Sequence, residues 1–304
     1  MNEGREGCRL VVPDGSLKEV IHRLLADAHC AVSYPGGDRS YRGIIANKRL
    51  FAPPFDVVRR MRPWDSPKVV ARGLAELAFT AQDLIAEAGV EDQVVVLDRY
   101  PLSRGGYGST KLVLAVPENS PIQSVTDLMP EHEVATEYPS FARRWLDGKR
   151  VSPDIIHVHG SLEAFHGLAD AIFENTETGL SLKVGGWRIV EQALESQTCL
   201  ITYPAALENK VQANIIAEFR LLLNAVIAAR TKVLVKCNVA ARNCSDVCRI
   251  LPSADEPTRS DLSKSGGFAL EAVVEESAVE RLIPELKAAG ATAIVVVPIS
   301  LFVR

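Results

Sequence analysis

Apolar and polar positions divide residues 8–230 into short, alternating elements. Residues 8–12 form an apolar run of the kind that makes a buried strand, and Pro13-Asp14-Gly15-Ser16 turns the chain. Leu17, Val20, Ile21, Leu24 and Leu25 then recur at helical spacing, which predicts a helix to about residue 28 capped by Ser16. Further strands are predicted at 57–62, 74–80, 94–97, 111–116, 134–135, 155–159, 168–173 and 199–202. Helices are predicted at 66–73, 81–88, after 140, near 190–194 and at 211–230. Such alternation implies α/β layers on open parallel sheets, in which ligands sit at the carboxyl ends of strands. Asp14, Asp65, Asp83, Thr136, Gly160 and Thr178 occupy those ends.

The texture changes at Thr231. A strand at 232–239, a helix at 245–251, strands at 259–264 and 268–274, a helix at 277–289 and a strand at 292–297 give the order βαββαβ. That order is ferredoxin-like. No acid–base pair stands near a nucleophile in this part, so ligand sensing or oligomer contacts suit it best.

Composition narrows the function. A chain of 304 residues exceeds one compact core, so two or three domains are expected. A net charge of -4 argues against nucleic acid as partner, and a polyanionic substrate would have to be met by local cations and backbone dipoles. No apolar run is long enough to span a bilayer, and residues 1–9 hold no signal-peptide core. The six scattered cysteines point to a reducing cytoplasm. Cys244 and Cys248 share a helix face near Cys237, but no histidine lies there to complete a zinc set, so they read as buried thiols. His157 and His159 alternate on one strand face and read as packing residues, with a metal or base role the alternative. The stretch Pro35-Gly36-Gly37-Asp38-Arg39 is a solvated turn or an active-site edge, and Arg104-Gly105-Gly106 is a hinge or lid candidate.

The densest chemistry lies between Asp170 and Leu182. An apolar strand runs into acid, then a Thr-Gly turn, then a Ser that can start a helix. Thr176, Glu177, Thr178, Gly179, Leu180 and Ser181 would let backbone N–H groups and hydroxyls converge on one anion. Asp170 and Glu174 lie on the approach, where carboxylates would repel phosphate but suit sugar hydroxyls. A phosphate seat beside acids for a diol describes a ribose-5-phosphate site.

Several blocks together resemble the long-form ATP phosphoribosyltransferases, which open histidine biosynthesis. Arg62-Pro63-Trp64-Asp65-Ser66-Pro67 is similar to that family's Arg-Pro-x-Asp-Ile-Pro, and Leu77-Ala78-Phe79-Thr80-Ala81-Gln82-Asp83 to its Leu-Gly-Ile-Thr-Gly-x-Asp. Tyr107-Gly108-Ser109-Thr110-Lys111-Leu112, Ala135-Thr136-Glu137-Tyr138-Pro139 and Gly160-Ser161-Leu162-Glu163-Ala164 follow in order. Thr178-Gly179-Leu180-Ser181-Leu182 matches the phosphoribosyl-pyrophosphate loop, and the tail through Pro298 resembles the regulatory domain.

The resemblance implies two periplasmic-binding-protein-like lobes of the type IV phosphoribosyltransferase kind, followed by an ACT/PII-like ferredoxin domain. Residues 1–106 and 198–228 would form lobe I, 107–197 lobe II and 229–304 the regulatory domain. It implies transfer of 5-phosphoribose from phosphoribosyl pyrophosphate to N1 of ATP, with magnesium, histidine feedback and a dimer or hexamer. Arg62, Asp170 and Glu174 would be catalytic; Asp14, Asp65, Asp83, Glu137 and Glu163 would join the loop in binding substrates. The chain departs from the family at the first turn, where Asp14 and Ser16 stand for Lys and Arg, and at Ala78, Ala81, Glu174 and Ser181. One charge reversal beside a phosphate is worth on the order of a few kcal/mol at an effective dielectric of about 20. Three readings remain: the ordinary enzyme with compensating cations at Arg39, Arg42, Lys48 or Arg104; a paralogue using a less anionic nitrogen heterocycle held by Asp14; or a non-catalytic binding or regulatory protein.

Overall fold

A computed structural model describes residues 7–37, 39–45, 55–103, 106–251, 256–263 and 266–303. The chain divides into two compact units, Met1–Glu218 and Phe219–Arg304, and the division falls within the helix Lys210–Ala229.

The first unit carries two sheets. The seven-stranded sheet has the order Val32–Ser33, Arg42–Ile45, Phe55–Met61, Cys8–Pro13, Leu77–Ala81, Thr198–Thr202, Val95–Tyr100. The five-stranded sheet has the order Asp154–His157, Glu133–Thr136, Ala171–Thr176, Thr110–Pro117, Trp187–Ser196. Both are mixed rather than parallel. Cys8–Pro13 pairs in parallel with both neighbours, as does Glu133–Thr136, while Thr198–Thr202, Thr110–Pro117 and Trp187–Ser196 run antiparallel to theirs. The chain passes between the sheets after Tyr100 and returns through Gln197 alone, between Ser196 and Thr198. Inner strands are apolar on both faces: Leu10, Val11, Leu77 and Ala78 are buried in one sheet, Leu112, Val113, Ile172 and Phe173 in the other.

Two predicted elements differ. The expected helix near 190–194 is the strand Trp187–Ser196. Its register slips between Ile189 and Glu191 and again between Gln192 and Leu194. Such bulges erase the period of two that marks a strand. The apolar run expected at 168–173 is likewise displaced, and the strand occupies Ala171–Thr176. His157 and His159 are exposed at the edge of their sheet with ring centroids 4.6 Å apart, so they pack on each other and not into the core.

One helix among the described residues, Lys210–Ala229, is long and apolar enough to cross a membrane by those measures alone, against the sequence expectation. It carries Glu218, Arg220 and Asn224, while Ile215, Ile216, Phe219, Leu223 and Val226 are buried within the protein.

The second unit is a four-stranded antiparallel sheet in the order Thr258–Asp261, Phe268–Glu275, Lys232–Val239, Thr292–Pro298, with helices Cys244–Ile250 and Val279–Ala288. Relabelled by chain order, the strands read 2-3-1-4, the ferredoxin-like arrangement. Val233, Val235, Leu270, Val247, Leu282 and Leu286 form its core. Cys244 and Cys248 bring their Sγ atoms to 3.9 Å; Cys237 and Cys244 are buried and Cys248 partly so.

Candidate active site

A cavity of about 570 Å³ opens between the two sheets of the first unit. Its lining comes from the carboxyl ends of strands and the segments that follow them: Ser16, Pro63, Asp83, Glu137, Gly160 and Thr178 among others. Of the six strand-end residues expected near a ligand, Asp83, Gly160 and Thr178 line this cavity, and Asp14, Asp65 and Thr136 do not.

One wall is the turn after Thr176. Gly179 has φ +74 and its N–H donates to Thr176 Oγ1 at 3.0 Å; the Leu180 N–H donates to Thr178 Oγ1 at 3.3 Å. These bonds fold the turn without a ligand. The short helix Leu180–Val184 follows, one residue earlier than Ser181 suggested, and Leu182 anchors it in the core. Thr176, Glu177, Thr178 and Ser181 line the cavity. Gly179 and Leu180 shape the turn through their backbone, and the Leu180 side chain is 65% exposed.

Acids stand next to this turn. Glu137, Glu163 and Glu174 line the cavity. Burial, and then the negative charges of Glu163 and Glu137, push the Glu174 carboxyl up to about 8 against one favourable bond from the Asn175 N–H. Asp170 is a correction. It precedes the strand Ala171–Thr176, so it sits at the amino end, four residues and roughly 13 Å from Glu174. There its exposed Oδ2 accepts the Glu133 N–H at 2.8 Å, a backbone tie between neighbouring strands.

The facing wall is poorer in charge. It includes Ser16, Leu17, Pro63, Trp64, Leu102 and Ser103. Trp64 stacks obliquely on Tyr138, centroid to centroid 4.9 Å. Ser103 is buried, and its hydroxyl has no hydrogen-bond partner among the described residues. Asp14 lies outside the lining, with Oδ1 3.8 Å from Arg60 Nε. Arg60 in turn lies over the rings of Tyr34 and Tyr41. Arg62 is exposed and lies over the first turn: a Cβ on Gly15 would meet its Nη1 at 3.1 Å. Asp65 is exposed at the start of the helix Ser66–Ala71, also outside the lining. Arg39 and Arg42 are exposed and outside it too; Lys48 and Arg104 fall outside the described residues.

Asp83 borders the cavity, but protein groups occupy its carboxylate. Oδ2 accepts the Tyr138 hydroxyl and Asn175 Nδ2, each at 2.7 Å, and Oδ1 accepts Ser196 Oγ at 2.7 Å. It therefore braces the strand ends around the cavity, with both carboxylate oxygens engaged by protein donors. Tyr138, Asn175, Trp64, Ser103 and Ser196 escaped the sequence reading. Trp64 and Tyr138 stand within the family-like segments 62–67 and 135–139, and Asn175 adjoins Glu174, which is where a signal existed; Ser103 and Ser196 carry none.

With the cavity laid out, comparison with known proteins places the chain. Residues 62–224 match the family model for ATP phosphoribosyltransferase, and residues 229–301 match the model for the C-terminal domain of HisG. The chain is 35% identical over 297 residues to the ATP phosphoribosyltransferase of Chlorobaculum parvum, covering 97% of each chain. It is 32% identical over 294 residues to that of Methanocaldococcus jannaschii, covering 94% of this chain and 96% of the relative. In fold it is similar to a chain of the ATP phosphoribosyl transferase (HisG:HisZ) complex from Thermotoga maritima, with TM-score 0.57 and 22% identity over 71% of this chain and 98% of that one. This chain belongs to the ATP phosphoribosyltransferase family.

Proposed function

We propose that the cavity carries out ATP phosphoribosyl transfer: 5-phosphoribose passes from phosphoribosyl pyrophosphate to N1 of ATP, and pyrophosphate leaves. The observation that carries this reading is the prefolded turn at Thr176–Ser181 beside an acid-lined cavity, in a chain of this family. The 5-phosphate sits in the turn, bound by backbone N–H groups and the hydroxyls of Thr176, Thr178 and Ser181. Glu174 holds ribose hydroxyls. As the C1–oxygen bond to pyrophosphate lengthens, positive charge grows on the ribose ring; the carboxylates of Glu137 and Glu163 face it, and Glu174 joins them once the bound charge draws off its proton. The adenine stacks on Trp64, which brings N1 to C1 from the side opposite the leaving group. The gain comes from positioning and charge, without a covalent enzyme intermediate.

Magnesium fits this cavity as a companion of the substrate. Among the described residues no group of three His, Cys, Asp or Glu is arranged to hold a metal by itself. Magnesium commonly takes one or two carboxylates and completes its shell with phosphate oxygens and water, and Glu137, Glu163 and Glu174 offer such oxygens. It would neutralise the departing pyrophosphate.

The reading with another heterocycle held by Asp14 loses its support, because Asp14 faces Arg60 and lies outside the cavity lining. The reading extends to feedback by histidine at residues 229–304, to a homo-oligomer, either dimer or hexamer, and to a cytoplasmic location in keeping with unpaired cysteines. Incubation with phosphoribosyl pyrophosphate, magnesium and ATP, read by pyrophosphate release, tests the reaction. Release only with a different heterocycle would overturn the acceptor, and no release with any acceptor would overturn the transfer. A chain ending before residue 231 keeps the transfer and loses histidine inhibition; inhibition that survives would place the effector elsewhere.

A further inference from the structure

We propose that Asp83 and Glu87 clasp the two lobes and hold the two half-sites at reacting distance, with Asp83 acting as a positioning residue through Asn175. The proposal rests on the transfer reaction above. Asp83 and Glu87 lie four residues apart on the helix Gln82–Ala88, which follows a strand of the seven-stranded sheet, and so share one helix face. That face meets the five-stranded lobe. Asp83 is 2% exposed and accepts Tyr138 Oη and Asn175 Nδ2 from that lobe and Ser196 Oγ at the crossing between the lobes. Its own N–H donates to Ser196 Oγ at 3.1 Å. Glu87 Oε1 accepts the Ser140 N–H at 3.1 Å and Oε2 the Phe141 N–H at 2.8 Å. These donors open the helix Pro139–Gly148, which has no side-chain cap of its own, so one lobe caps a helix of the other. From that helix Arg144 reaches back to the Ala86 carbonyl and pairs with Glu91 at 3.7 Å.

A buried carboxylate tolerates its site only while its donors stay in place, so the network fixes one lobe separation. Asn175 lies between Glu174 and Thr176. The strand end that bears the sugar-binding acid and opens the phosphate turn is therefore tied directly to the opposite lobe. The side chains proposed to touch each substrate come from one wall or the other, and the clasp carboxylates touch neither. Losing the clasp leaves each substrate's affinity intact and separates the reacting atoms.

The test compares Asn175→Ala and Tyr138→Phe, each of which removes one donor to Asp83, with Glu87→Ala and Glu87→Gln. Steady-state kinetics give kcat and KM, and calorimetry gives the Kd of each substrate alone. Asn175→Ala is expected to lower kcat by on the order of 100-fold with both Kd values within about threefold, since misplacement acts on the step and not on binding. Tyr138→Phe carries the same test with the least disturbance to folding. Glu87→Ala lowers kcat less, and Glu87→Gln restores most of it by keeping a side-chain acceptor. Unchanged kcat in both Asn175→Ala and Tyr138→Phe overturns the proposal, as does a tenfold rise in either Kd at constant kcat. Wild-type protein that releases no pyrophosphate overturns the reaction and not the clasp. Small-angle scattering then tests the clasp alone: the Asp83→Ala/Glu87→Ala variant has a larger radius of gyration if the proposal holds, and an unchanged one overturns it.

Discussion

The turn at Thr176–Ser181 arranges its hydrogen-bonding groups before a ligand arrives, through backbone bonds to Thr176 and Thr178 and a left-handed glycine. The opposite wall offers an indole, a proline ring, an aliphatic pair and scattered hydroxyls. One wall presents hydroxyls and backbone N–H groups at fixed places; the other presents flat apolar surface, and the proposed reaction gives the first to the 5-phosphate and the second to the adenine. Charge differs as well as shape. The acids Glu137, Glu163 and Glu174 gather beside the turn, while Asp14, the anomalous acid of the other wall's lobe, is turned toward Arg60. The difference teaches that a charge reversal in sequence need not be one in the site, because a neighbouring strand can neutralise it.

The largest effect expected from breaking this contrast is at Gly179. A Cβ there would stand 3.3 Å from Ile189 Cδ1 and require a residue to hold φ +74. Gly179→Val is expected to weaken phosphoribosyl pyrophosphate binding by on the order of 100-fold, measured by calorimetry, with ATP binding unchanged. Next comes Trp64→Ala, which removes a stacking surface and is expected to raise the KM for ATP about tenfold while sparing the sugar substrate. Equal rises for both substrates would erase the distinction between the walls.

Glu174 sharpens the contrast through pH. Its folded carboxyl titrates at about 8, above its ordinary value, so the empty protein gains stability from it at low pH and loses that gain as pH rises toward 8. Tm in the absence of ligand should therefore fall across that interval, and Glu174→Gln should remove most of that fall, read by thermal shift. The smallest effect belongs to Ser103, whose buried hydroxyl lacks a partner among the described residues. Ser103→Ala is expected to stabilise the empty protein by about 1 kcal/mol in urea denaturation while raising the KM for ATP severalfold.

Legibility in the sequence followed the same division. The turn was readable because Thr-Gly-x-Ser after an apolar run is a local pattern, and strand–helix alternation placed it on the ligand side. Asp170 was misplaced because Leu168 to Phe173 looked like the strand; Leu168 is in fact 71% exposed in the loop before it. The bracing contacts of Asp83 are not legible, because its partners Tyr138, Asn175 and Ser196 lie 55, 92 and 113 positions away. No local pattern encodes such convergence. The strand Trp187–Ser196 was hidden by its bulges, and the mixed sheets by strands that return from the other lobe. The ferredoxin-like unit was the most legible part, since each of its strands and helices carries its own apolar spacing around a simple core, even though its central strand pairs with partners far along the chain.

The most direct test of the account is a crystal structure grown with phosphoribosyl pyrophosphate and magnesium. The account predicts the 5-phosphate within hydrogen-bonding distance of the turn at Thr176–Ser181, with the ribose hydroxyls on Glu174 and the anomeric carbon facing Trp64. A sugar phosphate bound elsewhere, or a turn filled by its own packed side chains, would contradict it.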